Sequence, residues 1–224
     1  MPPPPPPPPP PAATNAGGIW EGSATASETS LDFAGVITED GRGRFIDEGG
    51  TQYIVSNLSG DDGSLTADIL AIAPFGMTFL DGSSVTTGSF SATVVERETW
   101  SGDYSLATGE SGTVSLTYNA IYERDSSLDK LTGMWDEEFG VLTFDPDGSF
   151  FEQDSFGCVF DGQATIIDAE YNVYDLSMTV SMCDDADGDY SGLAVLVDST
   201  TTEDLLIVQV NSDVLILTTS LLRL

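Results

Sequence analysis

The stretch 157–183, GCVFDGQATIIDAEYNVYDLSMTVSMC, constrains this chain more than any other part of it. Two runs that alternate apolar and polar residues meet around Asp-Ala-Glu-Tyr-Asn, and the chain's two cysteines, Cys158 and Cys183, stand at the far ends. A period of two is the mark of a strand with one buried face. The stretch therefore reads as a β-hairpin. A lone hairpin is not stable in water, so further strands must flank it in a sheet that closes on itself or packs on another.

If Cys158 and Cys183 face one another, the hairpin turn centres on Glu170 and Tyr171, where the polar residues lie. The alternation disagrees by one residue. Phe160, Ala164 and Ile166 share a face with Cys158, whereas Tyr174, Leu176, Met178, Val180 and Met182 leave Cys183 on the opposite one. A one-residue bulge, or a bond made beyond the end of the ladder, reconciles the two. A Cys158–Cys183 disulfide is expected in an oxidising compartment; two separate buried thiols are the other outcome.

With 224 residues, 40% of them hydrophobic, the chain can build one or two cores. Six basic side chains against 37 acidic ones give a formal charge of −31, which repels nucleic acid and anionic membrane, so neither is expected as a partner. The acids are spread along the chain, as in proteins adapted to high salt; attraction of cations or of a basic partner is the alternative. There is no histidine, so Ser-His-Asp and Cys-His catalysis and the usual zinc sites are excluded.

Residues 1–17 carry an unbroken proline run over 2–11. In polyproline II geometry it spans roughly 31 Å and acts as a stiff spacer, with recognition by an SH3-type domain as the sharper alternative. No signal peptide precedes it and no apolar stretch reaches transmembrane length, so either the chain is cytoplasmic or its export signal lies upstream of this sequence.

Over 18–124 eight strand-like runs are expected, near 18–27, 30–38, 43–48, 51–58, 64–73, 83–96, 99–107 and 112–123. Asp-Gly turns between them supply the positive-φ residues that tight hairpins need. After a polar break in which Ser127 would cap one helical turn, eight more runs follow over 131–224. The second set looks like a repeat of the first. Gly18-Ile-Trp20 matches Gly133-Met-Trp135, Gly35-Val-Ile-Thr38 matches Gly140-Val-Leu-Thr143, and Gly102-Asp-Tyr-Ser105 recurs as Gly188-Asp-Tyr-Ser191. The expected fold is thus all-β: two tandem antiparallel meanders of about eight strands, each a barrel or a flattened sandwich of lipocalin- or calycin-like type. The last strands, 205–210 and 214–217, are apolar on both faces and suit burial between the halves.

Tyr122-Glu-Arg-Asp-Ser-Ser-Leu leading to Gly133-Met-Trp135, Gly157-Cys-Val-Phe-Asp-Gly-Gln163, Tyr171-Asn-Val-Tyr-Asp175 and Tyr190-Ser-Gly-Leu193 resemble a set of uncharacterised β-rich lipoproteins of proteobacteria, mainly over 110–200. The resemblance implies export and an outer-membrane lipid anchor joined through a low-complexity spacer. It brings no catalytic residues.

Asp184, Asp185, Asp187 and Asp189 are weak calcium candidates. Counted from Asp185, position six is Tyr190 where an EF-hand needs Gly, and position twelve is Leu196 where it needs Glu, so an acidic turn is the plainer reading. Glu137 and Glu138 are strand neighbours that point to opposite faces and cannot flank one glycosidic bond. Trp20, Trp100 and Trp135 read as core plugs rather than a sugar platform. The expected role is that of a non-catalytic cell-envelope protein, periplasmic or anchored, that binds a protein or small ligand or is structural, with no cofactor required. A lipocalin-like carrier of a small apolar ligand is the alternative, and a carboxylate-dependent hydrolase the third. The first half should be filled by its own rings, with Phe90, Trp100, Tyr104, Leu116, Tyr118, Tyr122 and Trp20 facing inward.

The acidic surface makes stability depend on screening. Thermal midpoints in sodium chloride should climb between roughly 0.05 and 2 M as like charges are shielded. A flat response removes the salt-adaptation reading, and a rise reproduced by millimolar calcium alone transfers it to the 184–189 turn.

Overall fold

The computed structural model describes residues 16–224 apart from 27, 28, 62, 138, 139 and 214, and without the side chain of residue 61. The proline run and Glu138 lie outside the described residues. Two closed eight-stranded antiparallel barrels follow one another along the chain. The first comprises β1 (Gly18–Ala26), β2 (Thr29–Ile37), β3 (Gly43–Asp47), β4 (Gln52–Asp61), β5 (Ser64–Ile72), β6 (Val85–Val95), β7 (Thr99–Leu106) and β8 (Ser111–Asn119). The second comprises β9 (Gly133–Asp136), β10 (Val141–Phe144), β11 (Ser149–Gln153), β12 (Val159–Ile166), β13 (Tyr174–Ser181), β14 (Gly188–Val197), β15 (Leu205–Asn211) and β16 (Ile216–Arg223). Both are simple meanders, and closure removes the sheet edges that a flattened sandwich would keep.

The first barrel closes through a long β1–β8 ladder running from Ile19↔Asn119 to Thr25↔Thr113. Its interior is a stack of rings. Trp100 makes edge contacts with Trp20 at 5.6 Å, Phe45 at 5.8 Å and Phe90 at 5.2 Å between centroids. Such contacts add about 0.5–1.5 kcal/mol each beyond the area they bury. Tyr104, Leu116 and Tyr118 belong to the same core, as alternation requires. Tyr122 does not. The eighth strand stops at Asn119, whose side-chain oxygen accepts from the Ile121 amide (3.0 Å) and starts a 3-10 turn over Ala120–Glu123. That turn carries Tyr122 out of the barrel and into the junction between the two halves.

The second barrel closes on much less. Among the described residues the β9–β16 ladder has two pairs, Leu222↔Asp136 and Arg223↔Trp135, supplemented by Leu224 N donating to Met134 O (3.0 Å). The Arg223 guanidinium lies 4.3 Å from the Trp135 ring centroid, and it donates to the carbonyl oxygens of Thr132 (3.3 Å) and Lys130. The α1 turn (Leu128–Leu131) sits beneath, with Ser127 at its N-cap position but without a side-chain capping bond; the Ser127 backbone engages the Tyr174 hydroxyl instead. Leu131, Trp135 and Tyr174 plug this end.

The repeat is visible in the tryptophans. The Trp20 indole N–H donates to Ala16 O (3.0 Å) and that of Trp135 to Leu131 O (2.7 Å), each four residues upstream. Two other matched motifs are displaced. Trp20 pairs with Gly35, but Trp135 pairs with Leu142 and not with Gly140. Gly102-Asp-Tyr-Ser105 lies on the seventh strand of its barrel, whereas Gly188-Asp-Tyr-Ser191 lies on the sixth, so that likeness is not positional.

The disulfide forms, with Cα atoms 4.8 Å apart. The β12–β13 ladder runs unbroken from Val159↔Ser181 to Ile166↔Tyr174, so the bond is made beyond its end and no bulge is present. Met182, in the left-handed region at φ 64°, turns the chain between the ladder and Cys183.

Between the barrels Ile19, Val36 and Tyr122 pack against Val173 and Leu193. Asn172 pins this contact. Its amide donates to Leu196 O (2.6 Å) and Ile121 O (3.3 Å), its side-chain oxygen accepts from Leu196 N, and its own backbone N–H reaches Tyr122 O. On the second barrel's side the junction is built by β14 together with the last two strands: Leu193 and Val195 of β14 and Ile207 and Gln209 of β15 line it with Ile19 and Val36, and Gln52 of β4 donates to Leu217 O (3.3 Å) and the Thr218 hydroxyl (2.6 Å) of β16, whose Leu222 is exposed.

Because two residue pairs are a thin seam, Arg223→Ala should cost about 2–4 kcal/mol, the sum expected for a lost cation–π contact and broken charge-assisted hydrogen bonds. The thermal midpoint measures it; a change below about 0.5 kcal/mol, ordinary for a surface residue, would mean the seam holds without the clasp.

Candidate functional site

The barrel interiors differ. That of the first leaves a void of about 30 Å³ among Phe33, Phe45, Tyr53, Phe90, Trp100 and Tyr104, no more than one water's share of liquid volume. That of the second holds a chamber of about 130 Å³ walled by Leu142, Phe150, Phe160, Leu176, Val208 and Leu221.

Strand length and one substitution of type produce the chamber. β1 and β2 have nine residues each, β9 and β10 only four. The wall of the second barrel is therefore low on the seam side. In the first barrel the row of inward residues that begins at Trp20 and Gly35 continues through Phe45 to Tyr53. The row that begins at Trp135 and Leu142 reaches Glu152, which pairs with Phe160. A carboxylate stands where the first barrel has a ring.

Glu152 is 2% exposed, lines the chamber, and its Oε1 has no hydrogen-bond partner. A side chain at Gly140 would collide with this carboxyl, so glycine there is what lets Glu152 lie against the β9–β10 turn. Glu137, immediately after β9, also lines the chamber and accepts from the Thr219 hydroxyl of β16 (2.9 Å). The two carboxyl groups lie within hydrogen-bonding reach of one another. Burial, and then the Glu137 carboxylate, push the Glu152 acid up to about 7. Glu152 therefore keeps its proton up to near neutrality, above the apolar walls of the chamber.

Sequence reasoning placed Glu137 beside Glu138 and missed its partner Glu152. The signal was present: Phe150 and Glu152 alternate onto one face of β11, and a carboxylate on an apolar face is the informative exception. The four calcium candidates are not brought together. Asp187 accepts from the Cys183 amide (2.6 Å), Asp189 accepts from the Thr179 hydroxyl (2.8 Å), and Asp184 and Asp185 stand exposed on a 3-10 turn. Among the described residues no three acidic, cysteine or histidine groups meet at ion-binding distance. All three tryptophans are buried. Among the described residues no helix is long and apolar enough to cross a membrane.

A second hollow, of about 250 Å³, lies in the junction between Ile19, Val36, Leu193, Val195 and Ile207, with Glu21 at its rim and Gln209 presenting an unpartnered Oε1. Comparison of the chain with protein-family models, with curated proteins and with solved structures finds no match in any of the three.

The raised pKa of Glu152 makes stability depend on pH with a definite sign. A carboxyl whose folded-state value lies above its unfolded one contributes stability that is complete below the unfolded value and lost as pH rises through the folded value, here through about 7. Between pH 5 and pH 8.5 the wild type should lose up to roughly 3 kcal/mol more than Glu152→Gln, at 1.36 kcal/mol per unit. Parallel pH–stability curves for the two proteins would show that Glu152 is not held neutral.

Proposed function

We propose that this chain is a non-catalytic binding protein of the cell envelope, in which the second barrel receives a small, mainly apolar ligand and the first is a filled scaffold. The observation that carries the reading is the contrast between the two interiors: about 30 Å³ in one, where six rings crowd the centre, and about 130 Å³ in the other, among mainly aliphatic side chains with Phe150 and Phe160, beneath a polar mouth. An apolar cavity of about 150 Å³ accepts benzene, so the chamber suits a ligand of a few carbon atoms and is well below the size that lipid or sugar carriers need. This is a small-molecule version of a lipocalin-like carrier.

The Cys158–Cys183 bond supports an oxidising compartment outside the cytoplasm. The proline run would then serve as the spacer of an anchored, lipoprotein-like chain.

The carboxyl pair also raises the hydrolase reading. Glycoside cleavage needs two carboxyls at least about 5 Å apart with a substrate between them. Here they are in contact and open into a chamber too small for a sugar, which favours binding over chemistry.

Native mass spectrometry of the full chain with a panel of apolar molecules of five to seven heavy atoms tests the proposal. One-to-one retention by the wild type, abolished by Met178→Trp in the chamber wall, is the expected result. Retention of none of them, or retention unaffected by that substitution, rejects the second barrel as the site.

A further inference from the structure

We propose that the ligand of the second barrel is a small amine on a short apolar chain, its ammonium held between Glu137 and Glu152 and its chain in the apolar chamber; this rests on the reading of that chamber as a binding site. Glu152 is the observation that points to a ligand. It is 2% exposed, it lines the chamber beside Glu137, and its Oε1, which lies against Gly140, has no hydrogen-bond partner. A buried acceptor without a partner is costly, and a charged one more so, unless a donor arrives from outside.

Among the described residues no basic side chain reaches Glu152, and with both carboxyls ionised neither can donate to the other. The charged groups among the described residues that bear on Glu152 are Glu137, after β9, and Asp154, just past the end of its own strand, and both are acids. Thr219 of β16 faces the pair but is already committed to Glu137. A single cation between the two carboxylates relieves their repulsion and satisfies Oε1 together.

The walls decide which cation. Two carboxylates and one hydroxyl fall short of the six to eight oxygens that calcium takes. An ammonium needs only two or three acceptors, and the carbon chain attached to it occupies the volume between Leu142, Leu176, Val208 and Leu221 that would otherwise stay empty. The chamber of about 130 Å³ limits that chain to a few carbons.

The test is calorimetric titration of the full chain with n-pentylamine and with n-pentanol, which share a carbon chain and differ in charge. At pH 8 the amine should bind at least about tenfold tighter, the ratio expected for one charge-assisted hydrogen bond over a neutral one. That preference should shrink as pH is lowered to 5.5 and Glu152 takes up its proton. Glu152→Gln should bring the amine down to the affinity of the alcohol while leaving the alcohol within about twofold of its wild-type value. Equal affinity of amine and alcohol for the wild type overturns the inference and leaves the binding function standing. Binding of neither overturns both. An amine preference that survives in Glu152→Gln and in Glu137→Gln would belong to the acidic surface and likewise overturns the inference.

Discussion

Attraction between unlike charges is scarce in a chain with six basic and 37 acidic side chains, and its distribution organises the molecule. Arg42 reaches Asp175, Arg44 reaches Asn211 and the Ser191 carbonyl, and Arg97 meets the Tyr171 hydroxyl and ring, all three from the first barrel to the second. Arg124 forks onto Asp198 with both contacts at 2.7 Å, Lys130 bridges Asp125 and Glu203, and Arg223 clasps the seam of the second barrel. Every cation thus acts at the junction, in the linker or at the closure beside it. The remaining surface is acidic and repels its like, so attraction between the barrels is gathered at their junction while other acidic surfaces are kept away.

The two barrels show what one architecture does with different contents. Each is founded on a tryptophan whose indole N–H caps the carbonyl four residues before it. From that common base the first fills its interior with rings and closes through a long ladder, and the second shortens two strands, replaces a ring by Glu152 and closes through two residue pairs. An eight-stranded barrel is just wide enough either to be packed or to hold one small molecule, so a single inward position can decide between the two. The disulfide is on the hollow barrel, at the end where the chamber opens, and restrains the β12–β13 hairpin there.

Much of the fold was legible because alternation is a strong signal when every strand has one wet face. The sixteen strands fall within a few residues of where the sequence puts them, and the offset between the cysteines was already implied by Phe160 and Leu176 lying on faces that disagreed by one. What could not be read depends on which residues meet across the barrel. Tyr122 has the spacing of an inward strand residue, but the Asn119 cap ends the strand before it. The Gly-Asp-Tyr-Ser motif occurs twice without occupying equivalent strands. Glu137 follows β9 and Glu152 lies on β11; their meeting is set by the register of the β9–β10–β11 meander, which alternation within one strand does not reveal.

The placement of the cations also sets how the molecule can be cut. A protease that requires lysine or arginine has six places to act on this chain, and each of those side chains is engaged in a contact of the folded state. The loops over 73–84, where Phe75 and Leu80 are exposed, and over 198–204 contain no such residue. Cleavage by an enzyme of tryptic specificity would therefore report separation of the barrels or release of the seam rather than loop motion, and a molecule that stays joined offers that class of enzyme nothing to hold.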